Sequence, residues 1–158
     1  MLIAGITRSD GKDHLFLLTP TTASGNLLVR GDFEDYAPPD LGPPGWVSDP
    51  IRQVPAKSET NQPHAGTKNG ACWSTTPQDC GMFQEVTASG TGAYTLTFFA
   101  NADRDGGSVG ANINGNGAAS SSVALRGFRN YGTMYSVSFN AAAGDTIRVW
   151  MTFEVNGP

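Results

Sequence analysis

The sequence has few charged residues and no long apolar run. Only 15% of its 158 residues are charged, against 39% that are hydrophobic. A helical bundle normally carries many Lys and Glu residues on its exposed faces, so this composition disfavours one. No apolar stretch approaches the roughly 20 residues that a membrane-spanning helix needs. The length suits one well-buried domain.

Basic residues are also scarce. The chain has 10 Lys and Arg against 14 Asp and Glu, which gives a net charge of -4. Duplex nucleic acid and anionic membrane surfaces bind clustered basic residues, and here these are scattered, so we expect neither partner. The apolar run Leu15–Leu18 is too short for a signal peptide. We therefore expect the chain to begin at a domain boundary, with any export signal lost upstream.

The sequence has only two cysteines, Cys72 and Cys80. Their closeness predicts a disulfide around a small loop, which indicates an oxidising, extracellular setting and a secreted protein. Two free thiols in a cytosolic protein are the alternative. Two cysteines with no histidine at ligand spacing do not make a tetrahedral zinc site.

Glycine and period-two patterns are abundant. The chain has 20 glycines. Apolar residues alternate over Tyr94–Asn101, Tyr135–Phe139 and Thr146–Phe153, as in strands with one buried face. Asn114-Gly115 is a dipeptide typical of a hairpin turn. These signals predict an all-β fold, an antiparallel β-sandwich with two facing sheets. Residues 1–24 are expected to be a linker or a remnant of a neighbouring repeat, and 25–158 the domain.

Six short motifs, in order and with appropriate spacing, resemble jelly-roll carbohydrate-binding modules of the kind appended to cellulases and xylanases. They are Asn26–Glu34 (similar to N-L-L-x-N-G-x-F-E), Gly45-Trp46, His64–Gly66, Phe83–Val86 (x-Q-x-V), Tyr94–Phe98 (Y-T-L-S-F) and Asp145–Val149. The resemblance covers roughly residues 26–153. It implies a galactose-binding-like jelly roll with a glycan groove on a concave sheet.

The resemblance also implies a structural calcium ion near the first strand. Calcium takes six to eight oxygen ligands, usually carboxylates and backbone carbonyls. Glu34 is the best candidate among the side chains, and Asp32, Asn69 and Glu154 are further candidates. The alternative is that Asp32 and Glu34 are solvated surface acids.

Aromatic and planar polar side chains are the candidates for glycan binding. An aromatic ring packs on the C–H face of a pyranose, while amides and guanidinium groups bond its hydroxyls. Trp150 alternates with apolar residues of its strand and is expected to point outward, whereas Trp46 is expected to be buried. The predicted ligand-binding set comprises Trp73, Gln84, Phe99, Asn101, Asn112, Arg148 and Trp150. For Phe99, the alternative is a covered edge.

We therefore predict a secreted, non-catalytic, monomeric module that binds β-1,4 or mixed-linkage glucan, with xyloglucan or xylan close behind. Its partner would be a glycoside hydrolase domain of the parent protein. No G-x-S-x-G or H-E-x-x-H motif is present, and nothing in the sequence places two carboxylates across a cleft. The alternatives are an adhesion or structural β-sandwich of a surface protein and a small jelly-roll glycan-cleaving enzyme.

Overall fold

The computed structural model describes residues 16–20, 25–60, 64–72, 78–100, 107–125 and 134–154. Every regular element in these residues is a strand, which confirms the all-β prediction. The strands are β1 Phe16–Pro20, β2 Val47–Ser48, β3 Val54–Pro55, β4 Lys57–Glu59, β5 Asn69–Ala71, β6 Asp79–Thr87, β7 Gly92–Phe99, β8 Gly107–Ile113, β9 Asn116–Leu125, β10 Met134–Ala141 and β11 Thr146–Glu154. Among the described residues, no helix is present that could cross a membrane.

The strands form three sheets. The larger sheet has the order β2-β6-β11-β8-β9, with β3 also beside β6, and the smaller sheet has the order β1-β7-β10. A third sheet consists of β4 and β5 alone. All pairings are antiparallel except that of β3 with β6. Apart from this short parallel pair, the sheets are antiparallel, as predicted.

One hydrophobic core is shared by the larger and the smaller sheet. Tyr94, Leu96 and Phe98 of β7 are at most 1% exposed, as are Ile147 and Val149 of β11. They belong to a single cluster of buried residues. Side chains alternate between the two faces of a strand, so the residues between them point away from this core.

The turn between β8 and β9 is the hairpin predicted from Asn114-Gly115. Both residues have positive φ angles, 52° and 69°. Such angles are required at both central positions of a type I′ turn, where Asn and Gly are tolerated best. The dipeptide thus reverses the chain next to β11, and Asn114 accepts a hydrogen bond from the Thr146 amide at 2.8 Å.

The disulfide between Cys72 and Cys80 is present. Cys80 is fully buried in β6, and Cys72 follows β5. The bond therefore ties the two-stranded sheet to the larger sheet.

The strand β1 lies inside the segment predicted to be a linker or a remnant. It pairs antiparallel with β7 from Phe16 opposite Phe98 to Pro20 opposite Tyr94. The boundary near residue 25 stays a prediction, but five residues on its N-terminal side form an edge strand of the smaller sheet.

Candidate functional site

The outward face of the larger sheet gathers three of the predicted ligand-binding residues. Trp150 on β11 lies opposite Phe83 on β6 and Gly110 on β8, and Arg148 lies opposite Asn112. All share the face that points away from the core, because their neighbours Ile147 and Val149 are fully buried. We call the set Phe83, Glu85, Asn112, Arg148 and Trp150 the Trp150 face.

The indole of Trp150 is fixed at one edge and supported from below. Its Nε1 donates a hydrogen bond to Asn112 Oδ1 at 3.0 Å. A Cβ atom built on Gly110 would lie 2.7 Å from its Cζ2, so the ring occupies the space that a side chain at position 110 would fill. Trp150 is partly exposed. The outward orientation predicted for this residue is confirmed.

Arg148 stacks on the neighbouring aromatic ring. Its Cζ lies 3.6 Å from the centroid of the Phe83 ring, which is cation–π geometry. Its Nε is 3.7 Å from Glu85 Oε1, and the two side chains are 36% and 53% exposed. At that exposure the ion pair adds little stability. The guanidinium is oriented by stacking while its edge stays accessible to polar ligands.

A second arginine lies on the same face, next to β6. The Cγ of Arg52 is 3.3 Å from the position of a Cβ on Gly81, which shares the outward face with Phe83. Its guanidinium lies 3.8 Å from Asp49 and 3.6 Å from Asp79. The Trp150 face is therefore bounded by Arg52 and its two carboxylate partners, at the edge of the larger sheet where β2 and β3 pair with β6.

Small side chains continue the outward face toward β9. Ser108 on β8 lies opposite Thr152 on β11 and Ala124 on β9, and Gly110 lies opposite Ser122. The hydroxyls of Ser108 and Thr152 are 3.4 Å apart. Ser122 and Ala124 are exposed. The surface of the sheet beside the Trp150 indole is therefore lined by short side chains, most of them polar.

Gln84 was predicted to bind ligand, and its position requires a correction. The side chain is only 3% exposed. Its amide donates to the Val29 carbonyl at 2.9 Å and accepts from the Val29 amide at 2.7 Å. Both hydrogen-bonding groups are used to hold the chain near residue 29, so Gln84 does not belong to the candidate site.

Phe99 also lies apart from the Trp150 face. It ends β7, in the smaller sheet, and points to the outward side there. Its ring is stacked on His64, with centroids 4.1 Å apart and planes 10° apart. Phe99 and Trp150 were predicted to bind the same ligand, but they lie on different sheets. Trp73 and Asn101 lie outside the described residues.

Among the predicted calcium ligands, the side chains that the structure describes are engaged in hydrogen bonds within the protein or buried. Asp32 accepts a hydrogen bond from the Glu34 amide at 3.3 Å, and Asn69 is buried in β5. Both carboxylate oxygens of Glu34 accept hydrogen bonds from protein donors. The Glu154 side chain lies outside the described residues. Within the described parts of the chain, no three His, Cys, Asp or Glu side chains are grouped as metal ligands.

Sequence reasoning missed part of the site. Arg52 lies between two very short strands, β2 and β3, so no alternation indicated its face. Nothing in the sequence distinguished Gly110 from other residues of its strand. Its register opposite Trp150 shows that it leaves space for the indole. Glu85 alternates with Phe83 on β6, which is the signal that could have placed both on the outward face, but the register that sets Glu85 opposite Arg148 has no local signal.

A comparison with known protein families finds no family model that matches this sequence, and a comparison with curated proteins finds no matching relative.

Proposed function

We propose that the protein is a non-catalytic glycan-binding module whose ligand lies across the Trp150 face. The observation that carries this proposal is the fixed, partly exposed indole of Trp150 beside the stacked guanidinium of Arg148. An indole held in place packs on the C–H face of a pyranose ring with little loss of side-chain entropy. The adjacent guanidinium then donates hydrogen bonds to ring hydroxyls.

The charges on this face favour an uncharged polysaccharide. Arg148 lies beside Glu85, and Arg52 lies between Asp49 and Asp79. Each of these two arginines is thus matched by a carboxylate, so the described residues of this face present no excess of positive charge that would attract uronate or sulfate groups. The ligand class that fits is a neutral chain such as β-1,4 or mixed-linkage glucan, with xyloglucan and xylan as related candidates.

Asp79 and Glu85, two carboxylates near this face, have the wrong spacing for glycoside hydrolysis. Asp79 and Glu85 lie on one strand, six residues and therefore roughly 20 Å apart. Glycosidases hold their two carboxyl groups about 5–10 Å apart across the scissile bond. The carboxylate of Asp145, in the turn before β11, is bonded by Ala142 and Asn114. The separation of Asp79 and Glu85 supports binding without catalysis at this pair.

The wider setting follows from the same proposal. The two sheets that share one core would form a jelly-roll sandwich, and the module would be a monomer. The disulfide favours a secreted protein. A glycoside hydrolase domain in the parent protein would then act on the polysaccharide that the module holds.

Affinity electrophoresis against a panel of polysaccharides tests the proposal. We expect retardation in gels that contain neutral β-glucan, weaker or no retardation in polyuronate gels, and release of no reducing sugar on long incubation. Trp150→Ala should reduce the retardation constant at least roughly fivefold, since stacking and desolvation at one aromatic anchor contribute about 1–3 kcal/mol. Lack of retardation by every polysaccharide would leave the adhesion or structural β-sandwich as the better reading.

Phe99→Ala is the matched control. It removes a partly exposed aromatic ring from the outward face of the other sheet, stacked on His64. We expect retardation to stay at the wild-type level. If Phe99→Ala abolishes binding and Trp150→Ala does not, the ligand lies on the smaller sheet and the site proposed here is misplaced.

A further inference from the structure

The turn around Glu34 and the loop around Lys68 are joined by a compact set of polar contacts. The Lys68 Nζ donates to the backbone carbonyls of Glu34 and Tyr36, each at 2.6 Å. Two carbonyls that converge on one positive charge are a typical cation-binding arrangement in proteins. Here the positive charge belongs to the chain itself.

The carboxylate of Glu34 is bound in the opposite direction by the same loop. Its Oε1 accepts from the Thr67 and Lys68 amides at 2.7 and 2.9 Å, and its Oε2 accepts from the Thr67 hydroxyl at 2.6 Å. Gly66 has a φ of +72°, and a Cβ there would collide with Glu34 Oε1. The loop therefore needs glycine at 66 to close around the carboxylate.

These contacts fit a divalent metal poorly. Calcium at 2.3–2.6 Å from the Glu34 and Tyr36 carbonyls would require the space that the Lys68 ammonium fills. The amide and hydroxyl donors aimed at the Glu34 carboxylate present hydrogens rather than further oxygens. A carboxylate bonded by several donors is already stabilised in its charged form, without a metal.

We propose that Lys68 is a built-in cation, and that it joins the 34–36 turn to the 66–68 loop in place of the calcium ion that the family resemblance implies. The junction is then independent of metal concentration. The inference concerns the stability of the fold and does not depend on what the Trp150 face binds.

Thermal unfolding of the purified protein tests this inference. We expect the same midpoint in EDTA and in millimolar calcium chloride for the wild type. Lys68→Met keeps most of the aliphatic stem but removes the ammonium, and should lower the midpoint by roughly 5 °C or more. Lys57→Met is the control. Lys57 is a half-buried lysine of the neighbouring strand β4, and its charge interacts with the Glu59 carboxylate. We expect this substitution to change the midpoint less.

Two results would overturn the inference. One is a wild-type midpoint that falls in EDTA and recovers on addition of calcium, which would show that the metal stabilises the fold. The other is an unchanged midpoint in Lys68→Met. If Lys68→Met does not fold, the wild-type comparison with and without chelator still decides the metal question, and Thr67→Ala, which removes one donor to the Glu34 carboxylate, tests the loop contact through a smaller fall in midpoint.

Discussion

Gly110 is the residue that lets the Trp150 indole lie against the sheet. A Cβ at this position would lie 2.7 Å from Trp150 Cζ2 and 2.5 Å from the Ser121 carbonyl oxygen. Real Cβ atoms do not approach so closely, so a side chain here forces the indole and β9 to move. A glycine in a strand interior often marks such a close approach.

Gly110→Ala should therefore weaken both glycan binding and stability. We expect a loss of affinity of about fivefold or more as the indole shifts, and a loss of about 1–3 kcal/mol in the free energy of unfolding from overpacking. Isothermal titration calorimetry with a soluble glucan measures the affinity, and urea unfolding measures the free energy of unfolding. Gly90→Ala, where a Cβ has nothing within 4 Å, is the control. Wild-type affinity in a folded Gly110→Ala variant would contradict the assigned role.

Gln84 shows what a sequence motif leaves open at the scale of one residue. Its position in the x-Q-x-V motif predicts that Gln84 lies on a strand, but it does not predict which group the side-chain amide bonds to. The partner is Val29, 55 residues away in sequence, and the hydrogen bonds to it make an inward-facing amide tolerable. That contact depends on the path of the irregular chain before β2, which no local pattern predicts.

Gln84→Leu should destabilise the fold and leave glycan binding intact. It removes two hydrogen bonds to Val29, so we expect a loss of about 1–3 kcal/mol in the free energy of unfolding, measured in urea. The affinity of the folded variant for glucan should match the wild type. A variant with normal stability and lost affinity would return Gln84 to the binding site.

At the scale of elements, the β8–β9 hairpin is tied to the turn before β11 by Asp145. Its Oδ1 accepts from Asn114 Nδ2 at 2.8 Å, and its Oδ2 accepts from the Ala142 amide at 2.7 Å. The hydrogen bond from Ala142 and then that from Asn114 hold the pKa of this carboxyl below its ordinary value of 3.8. Such a group stabilises the folded state above its unfolded pKa and loses this contribution as the pH falls through its folded pKa.

Asp145→Asn should therefore show a weaker dependence of stability on acid. We expect the wild type to be the more stable at pH 7, and the difference between the two thermal midpoints to narrow below about pH 4. Scanning calorimetry from about pH 7 to about pH 3 measures the difference. A difference that stays constant over this range would show that the Asp145 carboxylate does not contribute through its charge.

The disulfide acts on the elements β5 and β6. Cys72 and Cys80 are 8 residues apart, and closing such a loop removes about 2–3 kcal/mol of unfolded-state entropy. We expect the double variant Cys72→Ser, Cys80→Ser to lose a similar free energy of unfolding, and dithiothreitol to have this effect only on the wild type. An equal effect of dithiothreitol on both proteins would contradict the assignment. Trp73 lies between the cysteines in sequence, so a loss of glucan binding on reduction would support its predicted role.

For the whole molecule, alternation predicted the faces of strands but not their sheets. Trp150 was expected to point outward and Phe99 to bind the same ligand, and both face outward, yet they lie on different sheets. Parity along a strand is a local property, because successive side chains point to opposite faces. The sheet that a strand joins depends on long-range pairing, such as that of β7 with β1 and β10. The all-β class, the hairpin turn and the shared outward face of Trp150 and Arg148 were therefore accessible from sequence, whereas the pairing of β8 with β11 that brings Asn112 beside them was not.

The most direct test of the proposed site is a titration of the isotope-labelled protein with a soluble β-glucan oligosaccharide, followed by NMR. We predict that the largest shifts occur at the Trp150 indole N–H, the Asn112 side-chain amide and the Arg148 guanidinium, with little change around Phe99 and His64. Shifts confined to the smaller sheet, or no shifts at saturating oligosaccharide, would contradict the account.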